Sequence, residues 1–268
     1  MNLKEEIDKI KEDGYNEANA ESKLCQDIIL KAISQSGMAS NTTIKGGVVM
    51  RSISKSARRA TQDIDLDFIR YSISNDSIKR FVEKLNCLED LEIYIDGKII
   101  DLKHQDYKGK RIAIRIKDKD NTELTLKMDI GVHSDLSIEQ EEYAFDIAFQ
   151  DSTVSLLINS KAQMITEKLK SLVRFGSQST RYKDIFDIYF LLDDVNIAML
   201  KTCIKKYIFD DETLKNVNTM DDIIKRIDSV FRNEKYIKEV EKSNKNWIGI
   251  PIKDVIDKDI NFLKEIKF

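Results

Sequence analysis

Between residues 17 and 35, Ala18, Leu24, Ile28, Ile29, Ala32 and Ile33 recur at helical spacing, which predicts an amphipathic helix. A polar turn over residues 40–43 follows it. Asp63-Ile64-Asp65-Leu66-Asp67-Phe68 then alternates strictly, as a strand does, with Ile64, Leu66 and Phe68 turned to a core. Residues 75–87 return to a helical period. Alternating, β-branched segments at 91–95, 99–104, 111–116 and 122–132 predict a run of strands. Beyond about Val154 the period is helical again, through Ala162, Ile165, Leu169, Leu172 and Val173 and once more over 184–192. The fold class expected is α+β: a mixed-sheet half over residues 1–155, then a helical lobe over 156–268.

Composition narrows the class. The 268 residues suffice for a packed core. Lys and Arg number 44 against 47 Asp and Glu, so binding through bulk positive charge is excluded while local basic patches are allowed. Three scattered cysteines, Cys25, Cys87 and Cys203, suggest neither a disulfide framework nor a metal knuckle. The amino terminus alternates acids with lysines and has no apolar core of a signal peptide, and no stretch approaches a membrane span. A cytoplasmic protein with no membrane partner is expected. His104 and His133 stand far apart without acidic or thiol partners at ligand spacing, so they read as ordinary strand or surface residues.

The chemistry concentrates on the alternating strand. Asp63, Asp65 and Asp67 share one face, and successive same-face residues lie about 6.6 Å apart, close enough for two carboxylates to serve divalent ions. Three like charges in a row are unfavourable without a counter-charge or a metal; an acidic solvent face is the plain alternative. A calcium loop fails, because its sixth and twelfth positions carry Phe68 and Ser74 instead of glycine and glutamate. Upstream, Gly46-Gly47 allows close approach of backbone to a phosphate, and a helix starting there would favour an anion. Arg51, Lys55, Arg58 and Arg59 follow with no acid before Asp63, either a phosphate-facing set or a solvated basic face. Neither a Walker A spacing nor a G-x-G-x-x-G is present.

Lys45-Gly46-Gly47 followed by Arg59-x-Thr61-x-Asp63-Ile64-Asp65 resembles the first motif of the AbiEii/AbiGii group of the nucleotidyltransferase superfamily, toxins of abortive-infection and toxin-antitoxin systems with the MenT toxins among their relatives. The resemblance implies that Asp63 and Asp65 are a metal pair, with Asp129 on a neighbouring strand as third carboxylate. In the segment 124–132 Leu124, Leu126 and Met128 share one face and Asp129 takes the other; an ion pair with Lys127 is the alternative for it. Glu167-Lys168-Leu169 and Arg181-Tyr182-Lys183-Asp184-Ile185-Phe186-Asp187 resemble the last two motifs, with Lys161 competing with Lys168 for the lysine. Asp184 and Asp187, at i and i+3, share a face of an otherwise apolar helix. Residues 161–183 carry Lys161, Lys168, Lys170, Arg174, Arg181 and Lys183 against the single acid Glu167, a basic surface suited to triphosphate or RNA. Val48 departs from the small hydroxyl residue usual after the Gly-Gly pair.

By this resemblance the chain is a Mg²⁺-dependent (or Mn²⁺-dependent) nucleotidyltransferase toxin. It would move NMP from an NTP, GTP or CTP, to an RNA acceptor such as a tRNA 3′ end, beside an antitoxin with a winged-helix domain. Lys45, Gly46, Gly47, Arg59 and Lys168 would bind the nucleotide, and Asp184 and Asp187 would position Lys168, the base or the acceptor. The rival readings are a GTP-binding protein without turnover and transfer to a protein hydroxyl. The resemblance covers about residues 40–195 and is silent on 196–268.

Overall fold

A computed structural model describes residues 1–102 and 109–268; His104 and the end of the 99–104 segment lie outside the described residues. The chain divides into two compact units, Met1–Asn159 and Ser160–Phe268, in an α+β architecture.

The first unit is built on a seven-stranded mixed sheet in the order β3-β4-β5-β2-β1-β7-β6 among the described residues. The strands are β1 (Thr42–Lys45), β2 (Asp63–Phe68), β3 (Leu91–Leu102), β4 (Gly109–Asp118), β5 (Glu123–Val132), β6 (Glu141–Phe145) and β7 (Val154–Ile158). β2 runs parallel to β5 and β1 parallel to β7, while the other neighbours are antiparallel. Every second residue of the central strands, Ile64, Leu66, Phe68, Ile112, Ile114, Leu126, Met128 and Ile130, is buried. Helices α1 (Leu3–Glu12), α2 (Glu17–Gln35), α3 (Gly46–Ser54) and α4 (Asn75–Leu85) complete the unit. α2 and α4 pack on the sheet, and Phe81 of α4 meets Phe68 edge-on with ring centroids 5.0 Å apart.

The period-2 and period-3.6 patterns find their elements at 17–35, 63–68 and 75–87. Other readings need correction. The turn over 40–43 is half strand: Thr42 and Thr43 belong to β1, buried between β2 and β7, where Thr43 donates its hydroxyl to Gln140 Oε1 at 2.8 Å. A four-residue strand is too short to display a period. For the same reason residues 154–158 form a strand and the helical period begins only at Lys161. The segments at 91–95 and 99–104 belong to one strand, β3, interrupted by an irregularity between Asp96 and Ile100.

The second unit is helical: α5 (Lys161–Phe175), α6 (Lys183–Leu191), α7 (Ile197–Ile204), which runs into a π turn, α8 (Met220–Phe231), α9 (Glu234–Lys242) and α10 (Ile252–Glu265). Helix α5 packs against α6, α7 and α8, and α10 against α6 and α8. α8 opens with a capping box in which Thr219 and Asp222 satisfy each other's backbone amides. Among the described residues no helix is long and apolar enough to cross a membrane.

Candidate active site

The sheet register assembles a row of charge. Arg111 of β4 stands opposite Asp129 of β5, Asp129 opposite Asp65 of β2, and Asp65 opposite Lys45 of β1. Residues directly opposite each other point to the same face, so four strands set a cation, two carboxylates and a cation side by side, with Asp63 and Asp67 above and below Asp65. The outer charges are held. Arg111 donates Nε and Nη2 to the two Asp129 carboxylate oxygens, each at 2.7 Å, and Lys45 Nζ lies 2.7 Å from Asp67 Oδ1. The ion-pair partner of Asp129 is therefore Arg111 rather than its chain neighbour Lys127.

Gly46 and Gly47 begin α3 against this row. Gly46 has φ +67°, and a Cβ on it would collide with the Asp65 carboxylate, whose Cγ lies 3.2 Å from that position. A Cβ on Gly47 would overlap Thr61, at 2.6 Å from its Cβ. The Gly-Gly pair thus fits against Thr61 and Asp65: bare backbone at the start of a helix lies against an acidic strand. Gln26 of α2 fixes the approach to that strand, donating Nε2 to the carbonyls of Thr61 at 2.9 Å and Asp63 at 3.3 Å.

The basic stretch behind the glycines splits by role. Arg51 is buried and bonds Asp27 Oδ1 through Nη2 at 2.9 Å, while Asp27 Oδ2 accepts from Lys23 at 2.5 Å and from the Ala148 amide at 3.0 Å. Arg51 therefore ties α3 to α2 and does not face a phosphate. Lys55 is exposed, 3.9 Å from Asp146, and Arg59 is buried in the turn before β2. His133 is likewise a packing residue, its Nε2 3.0 Å from the Ile138 carbonyl.

Carboxylate oxygens at 63 and 65 beside helix-start amides suit a hard divalent cation, which takes one or two protein carboxylates and fills the rest of its shell with phosphate and water. Asp129 adds an oxygen to such a shell only when Arg111 releases it. Among the described residues no three carboxylate, imidazole or thiolate side chains converge on one point.

The second unit holds its own polar cluster. Lys168 of α5 donates Nζ to Asp184 Oδ1 at 2.9 Å and to Asp187 Oδ2 at 2.7 Å, both on α6. Trp247 donates Nε1 to Asp187 Oδ1 at 3.0 Å. Tyr236 of α9 is buried against the ring of Tyr182, and burial first, then the Asp184 charge, push its phenol up, so it stays protonated. Lys161, one of the two candidate lysines, instead bonds the Asp193 carbonyl at 3.1 Å. The basic tract is also less open than its sequence suggests: Lys170 and Arg174 both pair with Asp211, at 2.6 and 3.1 Å.

The sequence reading passed over Arg111 and Trp247. The signal for Arg111 was the tight turn at Asp118–Thr122, whose hydrogen bonds set the β4–β5 register that places it opposite Asp129. Trp247 had no such signal, since it lies in the loop between α9 and α10 and reaches Asp187 across 60 residues.

A family model for the AbiEii nucleotidyl transferase toxin of type IV toxin-antitoxin systems matches residues 28–253. The chain belongs to this family and is a nucleotidyltransferase. No curated protein matches the chain. Among solved structures it is similar to an antigenic nucleotidyltransferase-like protein from Paracoccidioides brasiliensis, at 16% identity and TM-score 0.41 over 77% of this chain and 98% of that one. It is also similar to the antibiotic-resistance factor ANT(2'')-Ia, at 15% identity and TM-score 0.42 over 69% of this chain and 92% of that one.

Proposed function

We propose that this AbiEii-family nucleotidyltransferase moves a nucleoside monophosphate from an NTP to the 3′ hydroxyl of an RNA, with tRNA the acceptor of choice, in a Mg²⁺-dependent reaction. The observation that carries the reading is the fit of the Gly46-Gly47 helix start against Asp65, within a row of carboxylates that the register brings together. Asp63 and Asp65, joined by Asp129, would hold the divalent cation. When bound, it supplies positive charge to the reacting phosphates and acidifies the acceptor hydroxyl.

The rest falls to the chain. The acceptor oxygen forms a bond to the α-phosphorus, the bond to the bridging oxygen breaks, and pyrophosphate leaves with its charge. The Gly46 and Gly47 amides lie at the positive end of α3 and cradle phosphate oxygens. Arg59 and Lys45 hold the turn and the acid row in place around them. Lys168 is the lysine of choice over Lys161, because Asp184 and Asp187 fix its ammonium from two sides; the family resemblance gives it the role of meeting triphosphate charge. The acceptor proton passes to water or to an Asp129 oxygen once Arg111 has released it.

Membership of a toxin-antitoxin family supports an antitoxin encoded beside it, with a winged-helix domain, and action in the cytoplasm. Pure protein and its Asp65→Ala variant, each given Mg²⁺, one labelled NTP at a time and total RNA, test the reading. Label in a tRNA-sized band with the intact protein alone supports it. Nucleotide bound without label transfer, or label on protein in place of RNA, replaces it with a binding protein or a protein-modifying enzyme.

A further inference from the structure

Arg111 belongs to none of the family-like motifs, yet it contacts the acid row directly. Its planar guanidinium meets Asp129 side-on, two parallel bonds of 2.7 Å that use both carboxylate oxygens. Asp129 is buried, whereas the Arg111 side chain is 40% exposed. The acid row extends beyond this pair, because Asp129 stands opposite Asp65 and Asp63 lies on the same strand as Asp65. Three carboxylates on two adjacent strands repel one another unless a cation stands among them. In the protein by itself, Arg111 is that cation at Asp129, as Lys45 is beside Asp65 and Asp67.

The arrangement has a consequence for metal uptake, resting on the reading above that Asp63, Asp65 and Asp129 take a divalent cation. A metal arriving alone gains the Asp129 oxygens only by breaking a bidentate ion pair and taking from the guanidinium its carboxylate partner. A metal arriving with a nucleotide leaves that guanidinium beside phosphate oxygens, which match the same fork. We infer that Arg111 is a positioning residue that makes divalent-metal binding conditional on the nucleotide: it holds Asp129 until phosphate takes its place as the guanidinium's partner. A bidentate charge-assisted pair is strong enough to lower the affinity for metal alone by about 10- to 100-fold.

Mn²⁺ binding, followed by electron paramagnetic resonance on the full chain, tests this without any turnover. Wild type, Arg111→Gln and Arg111→Lys are titrated with Mn²⁺, with and without an NTP carrying a non-hydrolysable α,β-bridge. The wild type is expected to bind Mn²⁺ weakly alone and at least ten-fold more tightly with the analogue. Arg111→Gln is expected to bind Mn²⁺ alone about 10- to 100-fold more tightly than wild type and to gain little from the analogue. Arg111→Lys keeps the charge without the fork, falls between them, and carries the comparison if the glutamine variant melts early. Equal affinities for Mn²⁺ alone in all three proteins, with tightening by the analogue in each, would overturn the role of Arg111 and leave the carboxylate site standing. Absence of Mn²⁺ binding by every protein in both conditions overturns the carboxylate site itself, and this inference with it.

Discussion

Trp247 and Asp187 are joined by a buried hydrogen bond of 3.0 Å from the indole Nε1 to carboxylate Oδ1, while the other oxygen of Asp187 accepts from Lys168 at 2.7 Å. The carboxylate is thus pinned from two sides, and the Trp247 pin comes from residues 196–268, where the sequence shows no motif. Trp247→Phe keeps the ring and removes the donor, which should cost about 1.5–3 kcal/mol of stability, as for a hydrogen bond to a charged group. Chemical denaturation measures it. Trp247 is the only tryptophan, so its fluorescence should change in Lys168→Met. An unchanged spectrum would count against the coupling of the two residues.

The two candidate lysines should separate cleanly. Lys161→Met removes one bond to a backbone carbonyl and should leave NMP transfer within about two-fold. Lys168→Met takes the charge from Asp184 and Asp187 and should lower kcat by about 10²- to 10³-fold, the range for losing one preorganised charge-stabilising group. Transfer rates with saturating NTP decide it; equal losses in the two variants would defeat the assignment of Lys168.

Gly47 and Thr61 should behave as a coupled pair. Gly47→Ala forces a methyl onto Thr61 and should destabilise by about 1–3 kcal/mol, as overpacking does. Thr61→Gly removes the obstructing side chain, so the double variant should recover part of that loss. Gly46→Ala should resist such rescue, because its φ of +67° strains any residue with a Cβ whatever surrounds it. A double-mutant cycle on melting data reads the coupling, and strict additivity at 47 and 61 would argue against the contact.

Asp27 is the buried hub of the first unit, holding Lys23, Arg51 and the Ala148 amide. Asp27→Ala leaves a buried guanidinium unpaired and should cost about 3–5 kcal/mol. The loss should appear in denaturant unfolding of the protein alone, without nucleotide or metal. A shift under 1 kcal/mol would mean that the cluster contributes little.

Asp259 on α10 is buried, neither of its carboxylate oxygens has a hydrogen-bond partner among the described residues, and burial pushes its carboxyl well above the ordinary range. The acid therefore binds a proton more tightly folded than unfolded. Its contribution to stability is complete below the unfolded value, near pH 4, and is lost as pH rises through the higher folded value. Asp259→Asn should flatten this part of the pH profile and be the more stable protein at pH 7 and above. Thermal melts from pH 4 to 8 test it, and parallel curves for the two proteins would refute a raised carboxyl.

The sequence by itself determined the elements whose side chains repeat. The strict alternation of 63–68 specified β2 and put its three aspartates on one face, and the helical periods at 17–35 and 75–87 specified α2 and α4. The i, i+3 spacing of Asp184 and Asp187 put both on one face of α6, because helix geometry is local, and the packing of α5 on α6 then brought Lys168 to them. The tertiary structure decided whatever depends on partners distant in the chain. Pairing with β2 on one side and β7 on the other made a strand of Thr42–Lys45, too short to show a period. Register across β4, β5 and β2 gave Asp129 to Arg111 and set it beside Asp65. Packing made Arg51 a structural cation and Trp247 a ligand of Asp187. Periodicity reports which face of an element is buried; which residue waits opposite is settled by strand order and helix packing, and these act between segments tens of residues apart.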